Sequence, residues 1–314
     1  MSPSSPGPIA VLGEALIDFV ADGRDARLYH ALAGGSGFNT SLGLARLDVP
    51  TAFCCVLSSD IQGRRLARDL ACEGIDTSCI LTSQLPCPVV LAQPGNAGGP
   101  PSYSLYLNGT ALDEAPGAWA LPPDTIHVHA TSFASTTGSG GGAALATMAS
   151  ARGHASTSFD PNIRLAVLPD RARTRSLIAE RIALSDIVKV SAEDLDLLAP
   201  GEDHDRLAAS WLAEGPRLVV VTRGSAVATA FFGEQRVAAS PPSARVLDTI
   251  GAGDSFMAAL LSTLWEKGRL GPDFSVPPID EMAGCLSFAA LVAALTCTRV
   301  GADPPRRAEL PGSA

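Results

Sequence analysis

The 314-residue sequence predicts an α/β protein in which a parallel sheet carries helices on both faces and a small β-flap covers one edge. Runs of β-branched and apolar residues alternate with segments of helical spacing, an order typical of parallel sheets. Two stretches, 14–33 and 86–112, instead contain short strand patterns separated by Gly, Pro and Asp turns. The composition, 46% hydrophobic and 18% charged, predicts one large domain over residues 1–314.

The elements of the main domain follow one another along the chain. The strand patterns are IAVL from Ile9, TAFCCVL from Thr51, TIHVHA from Thr125, DIVKV from Asp186 and RLVVVT from Arg217. Helical spacing is found over 61–73, 141–152 and 171–183. The tail from Ala302 is rich in proline and is expected to be loose.

The charge pattern and the cysteines exclude several classes of function. The net charge is −9 and the 23 basic residues are scattered, which argues against a nucleic-acid or membrane partner. The seven cysteines form no CxxC pair, and we interpret them as buried thiols in a reducing compartment. The N-terminus has no basic region followed by an apolar run, and no segment reaches ~18 uninterrupted apolar residues. A cytoplasmic protein that acts on small molecules is therefore expected.

Residues 248–256, DTIGAGDSF, lead into an apolar helix. Glycines 251 and 253 let consecutive N–H groups point into one concavity, with a positive φ expected at Gly253, and a helix from about Ser255 adds its positive end. A carboxylate at this place, Asp254, is held in its ionised form and can accept a proton beside a bound phosphate. The turn thus suits phosphoryl transfer to a hydroxyl, although a tight turn in which Asp254 only caps the helix is an equal alternative.

Other phosphate-binding designs are excluded by their missing motifs. The chain has only two lysines, Lys189 and Lys267, and neither lies in a GxxxxGK[ST] loop or a VAIK strand. A GxGxxG motif is missing after the first strand, where LGEALID stands. The remaining design is a lysine-poor phosphate site built from backbone donors and a helix N-terminus.

A second group of polar residues suits a polyol. In AGGSGFN, Gly34 and Gly35 permit close approach of a ligand, and Asn39 offers both donors and an acceptor. Asp18 lies in an apolar strand, where a lone carboxylate requires an exposed edge or a partner such as a sugar hydroxyl. Arg164 follows a strand end in FDPNIR, where a substrate contact and a surface ion pair are equally open.

Six collinear motifs between residues 9 and 303 resemble those of the ribokinase-like (PfkB) carbohydrate kinases. They are GEALID, GGSGFN, FDPNIR, VTRG, DTIGAGDSF and LTCTRVGA. The resemblance implies a Rossmann-like α/β/α sandwich with a small β-sheet lid. It implies that Asp254 is the base and that Gly251, Ala252 and Gly253 form the anion hole. The sugar would be held by Asp18, Gly34, Gly35, Asn39 and Arg164.

The resemblance also implies a nucleotide site and its ions. ATP would contact Thr222, Gly224 and Ser191, and Asp194 would organise Mg²⁺ through water; a monovalent cation such as K⁺ is a further expectation. The chain departs from the family at four places. VSAED replaces an NxxE helix start, Val227 replaces a glycine after VTRG, and Asp48 replaces a glycine in ARLDVP. Ser58 and Ser59 stand where GxD usually follows the next strand.

The motifs GEALIDF, FDPNIR and YLNGTA are most similar to those of bacterial fructokinase-like members. The expected reaction is ATP-dependent phosphorylation of a primary hydroxyl of fructose or a similar ketohexose. A 2-keto-3-deoxygluconate kinase and a nucleoside kinase are alternatives within the family, and a non-catalytic sugar-binding regulator is the alternative of another class. The apolar strand faces of the flap predict a homodimer through the lid, with a monomer as the alternative.

Overall fold

The computed structural model describes residues 6–22, 25, 27–93 and 102–311. The strands are β1 (Ile9–Leu12), β2 (Leu16–Ala21), β3 (Tyr29–Gly34), β4 (Thr51–Cys54), β5 (Val56–Ser58), β6 (Leu81–Ser83), β7 (Val89–Gln93), β8 (Ser102–Tyr106), β9 (His127–Thr131), β10 (Ser156–Asp160), β11 (Ile187–Ser191), β12 (Leu218–Thr222), β13 (Ala228–Phe232) and β14 (Gln235–Ala239). The helices are α1 (Ser36–Arg46), α2 (Ile61–Cys72), α3 (Gly138–Ala151), α4 (Arg171–Ile182), α5 (Ala192–Leu198), α6 (His204–Ser210), α7 (Ala252–Glu266) and α8 (Ile279–Thr296).

The main sheet has eight strands in the order β14-β13-β12-β11-β10-β9-β1-β4. All neighbours from β12 to β4 are parallel, and β13 and β14 add an antiparallel edge. Strand β1 lies between β4 and β9, so the chain order reverses there. In open α/β sheets, ligands bind at the carboxyl ends of the strands beside such a reversal.

Two apolar clusters cover the two faces of this sheet. Along β1, Ile9 and Val11 join one cluster, which includes α7 and α8, while Ala10 and Leu12 join the other, which includes α3 and α4. A strand that is buried on both faces reads as a continuous apolar run, which explains IAVL. These layers confirm the predicted α/β/α sandwich.

Helix α8 is long and apolar enough to cross a membrane by length and composition alone. Its residues Met282, Leu286 and Ala289 are fully buried and belong to the same core cluster as α7. Its apolar character therefore has a sufficient explanation in the packing of the domain.

A separate four-stranded sheet has the order β3-β2-β7-β8, with β2 and β7 parallel and the outer pairs antiparallel. Its strands come from the two stretches predicted to form the flap. The connection over 94–101 lies outside the described residues, as do 23, 24 and 26. The small β-sheet of the predicted fold class is present.

Three local predictions were wrong. TAFCCVL forms two strands, because β4 stays in the main sheet while β5 leaves at Cys55 to pair with β6. The tail is tied down over 302–311, since Asp303 and Arg306 form ion pairs with Arg46 and Glu73 at 2.5 and 2.9 Å. Cys72, the last residue of α2, is exposed rather than buried.

Candidate active site

The candidate residues meet where the carboxyl ends of β1, β10 and β11 face the N-termini of α1 and α7. The turn before α7 carries the anion-hole candidates. Gly251 has φ 75°, and the first helical hydrogen bond runs from the Ser255 N–H to the Gly251 carbonyl at 2.8 Å. The N–H groups of Gly253 and Asp254 are therefore not used inside the helix and can bind an anion.

The positive φ in this turn lies at Gly251. The expectation of a positive φ at Gly253 was wrong, because Gly253 is already the second residue of α7. The preceding loop is held by Asp248, whose Oδ1 accepts the Ile250 N–H at 3.0 Å and whose Oδ2 accepts the Gly301 N–H at 2.8 Å. The Ala252 N–H donates to the Thr249 carbonyl at 3.3 Å, so the predicted anion-hole role of Ala252 is not supported, and the amides that remain available in this turn are those of Gly253 and Asp254.

Asp254 is buried in the first turn of α7, and Asn39 of α1 holds it. The Asn39 Nδ2 donates to Asp254 Oδ2 at 2.8 Å. The Asn39 Oδ1 is buried and has no hydrogen-bond partner within the residues that the structure describes. Asn39 therefore orients the carboxylate with one end and presents an acceptor with the other, a pairing that sequence reasoning missed.

Glu14, directly after β1, was also missed. It is 2% exposed, its Oε1 accepts the Ser36 N–H at 2.8 Å, and its carbonyl accepts the Phe38 N–H at 3.1 Å. Burial raises the pKa of Glu14 to about 7, and the nearby charge of Asp254 adds to this. Glu14 in GEALID has the same sequence signal as Asp18, because each is a lone carboxylate in an apolar segment and needs a partner. This signal could have identified Glu14.

The raised pKa of Glu14 predicts how stability depends on pH. From about 4.5 to about 7 the unfolded chain loses the Glu14 proton while the folded protein keeps it, so the free energy of unfolding falls as pH rises through this window. At roughly 1.4 kcal/mol per pKa unit, the upper limit of this loss is about 3 kcal/mol. We expect Glu14→Gln to lack this loss in urea unfolding series from about pH 5 to about pH 8.

The slope with pH is the informative quantity, because a buried glutamine amide also lowers stability by a constant amount. Glu234→Gln, in the exposed turn between β13 and β14, is the matched control and should keep the wild-type slope. An unchanged slope in Glu14→Gln would show that another group causes the loss.

The sugar-site candidates of the β-flap lie close together. Asp18 on β2 packs over Gly34, where an added Cβ would collide with the carboxylate. Burial raises the pKa of Asp18 to about 6, and the positive charge of Arg164 opposes the shift. Gly35 is the N-cap of α1 with φ 100°. The structure thus brings Asp18, Gly34, Gly35 and Arg164 to the same end of the sheet as Asn39.

The nucleotide candidates lie at neighbouring strand ends. Ser191 and Thr222 are register partners at the ends of β11 and β12, and Gly224 follows in an exposed loop with φ 53°. Val227, which replaces a family glycine, lies in the same loop with 36% of its surface exposed. The side chain at 227 therefore has room in this loop.

The predicted Mg²⁺ residue, Asp194, is fully engaged by the protein. Its Oδ1 accepts the Ile163 N–H at 2.7 Å. Its Oδ2 accepts the Ser191 N–H at 3.2 Å, as part of the capping box of α5, and also the Ser191 Oγ–H at 2.7 Å. Among the described residues there is no group of three His, Cys, Asp or Glu side chains that could hold a metal. A direct bond to Mg²⁺ would have to displace one of these contacts, so the water-mediated role of Asp194 stays a prediction.

Lys189 and Asp160 form a buried ion pair at 2.9 Å on β11 and β10, near these groups. Sequence reasoning had set Lys189 aside because it lies outside known lysine motifs. On the neighbouring β9, His127 and His129 are fully buried and hydrogen-bond to Ser156 and Ser158. Burial lowers the pKa of both histidines, which makes them neutral parts of the sheet.

The chain is similar to known carbohydrate kinases in both sequence and structure. The model of the pfkB family of carbohydrate kinases matches residues 8–308. A fructokinase of Rhizobium leguminosarum bv. trifolii is 36% identical over 286 residues, covering 88% of this chain and 85% of the relative. A fructokinase of Klebsiella pneumoniae is 33% identical over 307 residues, covering 94% and 95%. The crystal structure of an ATP-bound fructokinase from Xylella fastidiosa matches with a TM-score of 0.80 at 26% identity, covering 94% and 93%.

Proposed function

The chain belongs to the pfkB family of carbohydrate kinases, and we infer that it phosphorylates a primary hydroxyl of fructose or a similar ketohexose. It is an ATP-dependent sugar kinase. The choice of fructose rests on the names of the relatives and on the motifs that this chain has in common with fructokinases. A cytoplasmic location belongs to the same proposal.

The observation that carries the proposal is the hydrogen bond between Asn39 and Asp254 at the N-terminus of α7. It joins the loop that is suited to a polyol to the carboxylate that is suited to accept a proton. In the proposed reaction, the acceptor hydroxyl lies between the Asp254 carboxylate and the N–H groups of Gly253 and Asp254, which the helix does not use. Asp254 takes the hydroxyl proton, while the amides bind the oxygens of the phosphoryl group as charge develops.

The sugar is proposed to lie between the flap and the main sheet. Asp18, Arg164 and the free Oδ1 of Asn39 would bind its hydroxyls, and Gly34 and Gly35 would allow it to approach the backbone. The apolar side chains Leu16, Val90 and Phe133 form a small cluster that is separate from both main cores. This cluster would exclude water from the sugar when the flap closes.

ATP is proposed to bind along Ser191, Thr222 and Gly224, with its γ-phosphoryl at the N-terminus of α7. Mg²⁺ usually keeps several waters and is bound by one or two carboxylates together with phosphates, so a preformed cage of three side chains is not needed. Asp194 fits such a water-mediated role. When bound, the ion would neutralise phosphate charge. A stimulation by K⁺ over Na⁺ stays a prediction for the same assay.

Arg164 bears on the choice among substrates. An acid sugar such as 2-keto-3-deoxygluconate would need a cation for its carboxylate, but the charge of Arg164 already acts on Asp18. A neutral sugar therefore fits the site better. A non-catalytic sugar-binding regulator would not need the amides and carboxylate of the GAGD turn.

The proposed function is tested by ADP release from ATP with a panel that contains fructose, 2-keto-3-deoxygluconate, ribose and a purine nucleoside. We expect fructose to give the highest kcat/KM, with product phosphorylated at a primary hydroxyl. Phosphorylation of the acid sugar at a higher kcat/KM would replace fructose as the substrate. No ADP release with any member would favour the regulator.

The flap is also proposed to form a homodimer. Tyr103 and Tyr106 on the outer strand β8 are 54% and 56% exposed, and β8 has an open strand edge in the described sheet. A strand edge with exposed aromatic residues readily pairs with a second copy. We expect light scattering at micromolar concentration to give a dimer mass and Tyr106→Asp to give a monomer.

The control for this variant is Ile279→Asp, since Ile279 is an exposed apolar residue at the start of α8. It should remain a dimer. A wild-type monomer mass, or a dimer that survives in Tyr106→Asp, would contradict an interface made by β8.

A further inference from the structure

The main sheet contains a buried ammonium group for which stability gives no reason. Lys189 is 4% exposed on β11, and its Nζ lies 2.9 Å from Asp160 Oδ2, which is itself 1% exposed. Removing two charges from water costs about as much as their attraction returns, so apolar residues of similar volume would often stabilise a fold as well. The pair therefore calls for a functional explanation.

The Lys189 ammonium faces the turn that binds phosphate in the proposed function. A Cβ added to Gly253 would lie 3.0 Å from the Nζ, so no side chain separates the ammonium from this residue of the anion hole. A helix N-terminus carries partial positive charge and disfavours a cation beside it. The Lys189 ammonium therefore adds a full positive charge beside the partial positive charge of the helix N-terminus. Such a concentration of positive charge suits the binding of a polyanion.

The charges around Lys189 keep it in the ionised form. Burial works against the ammonium, but Asp160, Asp194 and Asp254 outweigh burial and hold the pKa of Lys189 above its ordinary value. His129, the other titratable side chain that it influences, is neutral. A second observation points to a ligand, because the Asp160 Oδ1 is buried and has no partner within the described part of the chain.

We propose that Lys189 is a catalytic residue whose ammonium binds the phosphoryl group during transfer, beside the Gly253 amide. Asp160 is then a positioning residue that holds the ammonium under the turn. The inference rests on the proposed phosphoryl transfer. In that step the hydroxyl oxygen forms a bond to the γ-phosphorus, its proton goes to Asp254, and the bond to the bridging oxygen breaks as ADP leaves with the electron pair.

A double variant separates this role from a structural one. Lys189→Met alone leaves Asp160 buried without its partner and can fail to fold. Asp160→Asn combined with Lys189→Met removes both charges. If the ion pair had only a structural role, this double variant would have full turnover. We expect the folded double variant to have kcat about 10²-fold to 10³-fold below wild type, the usual effect of losing one donor to developing charge.

The affinities of the double variant for nucleotides complete this test. Affinity for ADP should be unchanged, while the β,γ-imido analogue of ATP should bind more weakly than it does to wild type. Wild-type turnover in the double variant, or an equal loss of affinity for both nucleotides, would overturn the proposal. Lys267→Met changes an exposed lysine paired with Glu281 and is the control that should keep full activity.

Because the chain has only two lysines, the proposal can also be tested without substituting any residue of the site. Protein labelled with ¹³C at lysine Cε gives two signals, and Lys267→Arg assigns them. We expect the imido analogue of ATP to shift the Lys189 signal and ADP to leave it nearly unchanged, with the Lys267 signal as the internal control. Equal shifts with both nucleotides, or none, would overturn the proposal even if the sugar panel had failed to identify a substrate.

Discussion

Asp254→Asn is expected to lower kcat by at least about 10²-fold, the contribution of a positioned general base. Asparagine has nearly the same shape as aspartate, and its Oδ1 can still accept the hydrogen bond that Asn39 donates at 2.8 Å. The buried turn of α7 should therefore keep its fold. Only the ability to take a proton is lost, so affinity for sugar and ATP should change little.

This expectation is checked by steady-state kinetics together with equilibrium binding of sugar and nucleotide. Asp273→Asn, an exposed aspartate between α7 and α8, is the matched control and should behave as wild type. Near-normal turnover in Asp254→Asn would remove Asp254 from proton transfer. Loss of sugar binding together with turnover would point to a structural role instead.

The layered fold could be predicted because its information is local and repeated. Each strand of the main sheet is an apolar run, and Ile9 and Leu12 show why, since alternate residues of β1 enter the cores on opposite faces. The division of TAFCCVL between two sheets depends on the pairing of β5 with β6, and no residue in the run signals this. The ordered tail depends on Arg46 and Glu73, which lie far away in sequence.

In the candidate site too, local motifs could be predicted from the sequence, but contacts between distant segments could not. The GAGD turn is a local motif, so its glycines and Asp254 could be identified from the sequence. The hydrogen bond from Asn39 to Asp254 joins residues 215 positions apart. The Lys189 ammonium, on β11, lies beside Gly253, which is 64 positions later in the chain. Such contacts are set by tertiary structure, and a single sequence carries no direct signal for them.

Gly251→Ala is expected to lower kcat by about 10²-fold, because the turn that is proposed to bind phosphate cannot accept a side chain at this position. Gly251 has φ 75°, a conformation that costs other residues roughly 1–2 kcal/mol. An added Cβ would lie 2.5 Å from the Ala302 Cβ and 3.0 Å from the Ala302 Cα. The turn or the loop at Ala302 must move, and a misplacement of about 1 Å at reacting groups costs about 10²-fold in rate.

Gly268→Ala separates backbone strain from displacement of the site. Gly268 follows α7 with φ 62°, and an added Cβ there would have no atom within 4 Å. Both variants carry a similar backbone cost, and Gly251→Ala adds the clash with Ala302, so thermal unfolding should show a loss of stability in both and a larger loss in Gly251→Ala. Only Gly251→Ala moves the amides that are proposed to bind phosphate, so the two variants should differ in kcat. Equal kcat in the two variants would mean that the anion-binding amides lie elsewhere, because both variants have the backbone strain but only Gly251→Ala displaces the turn.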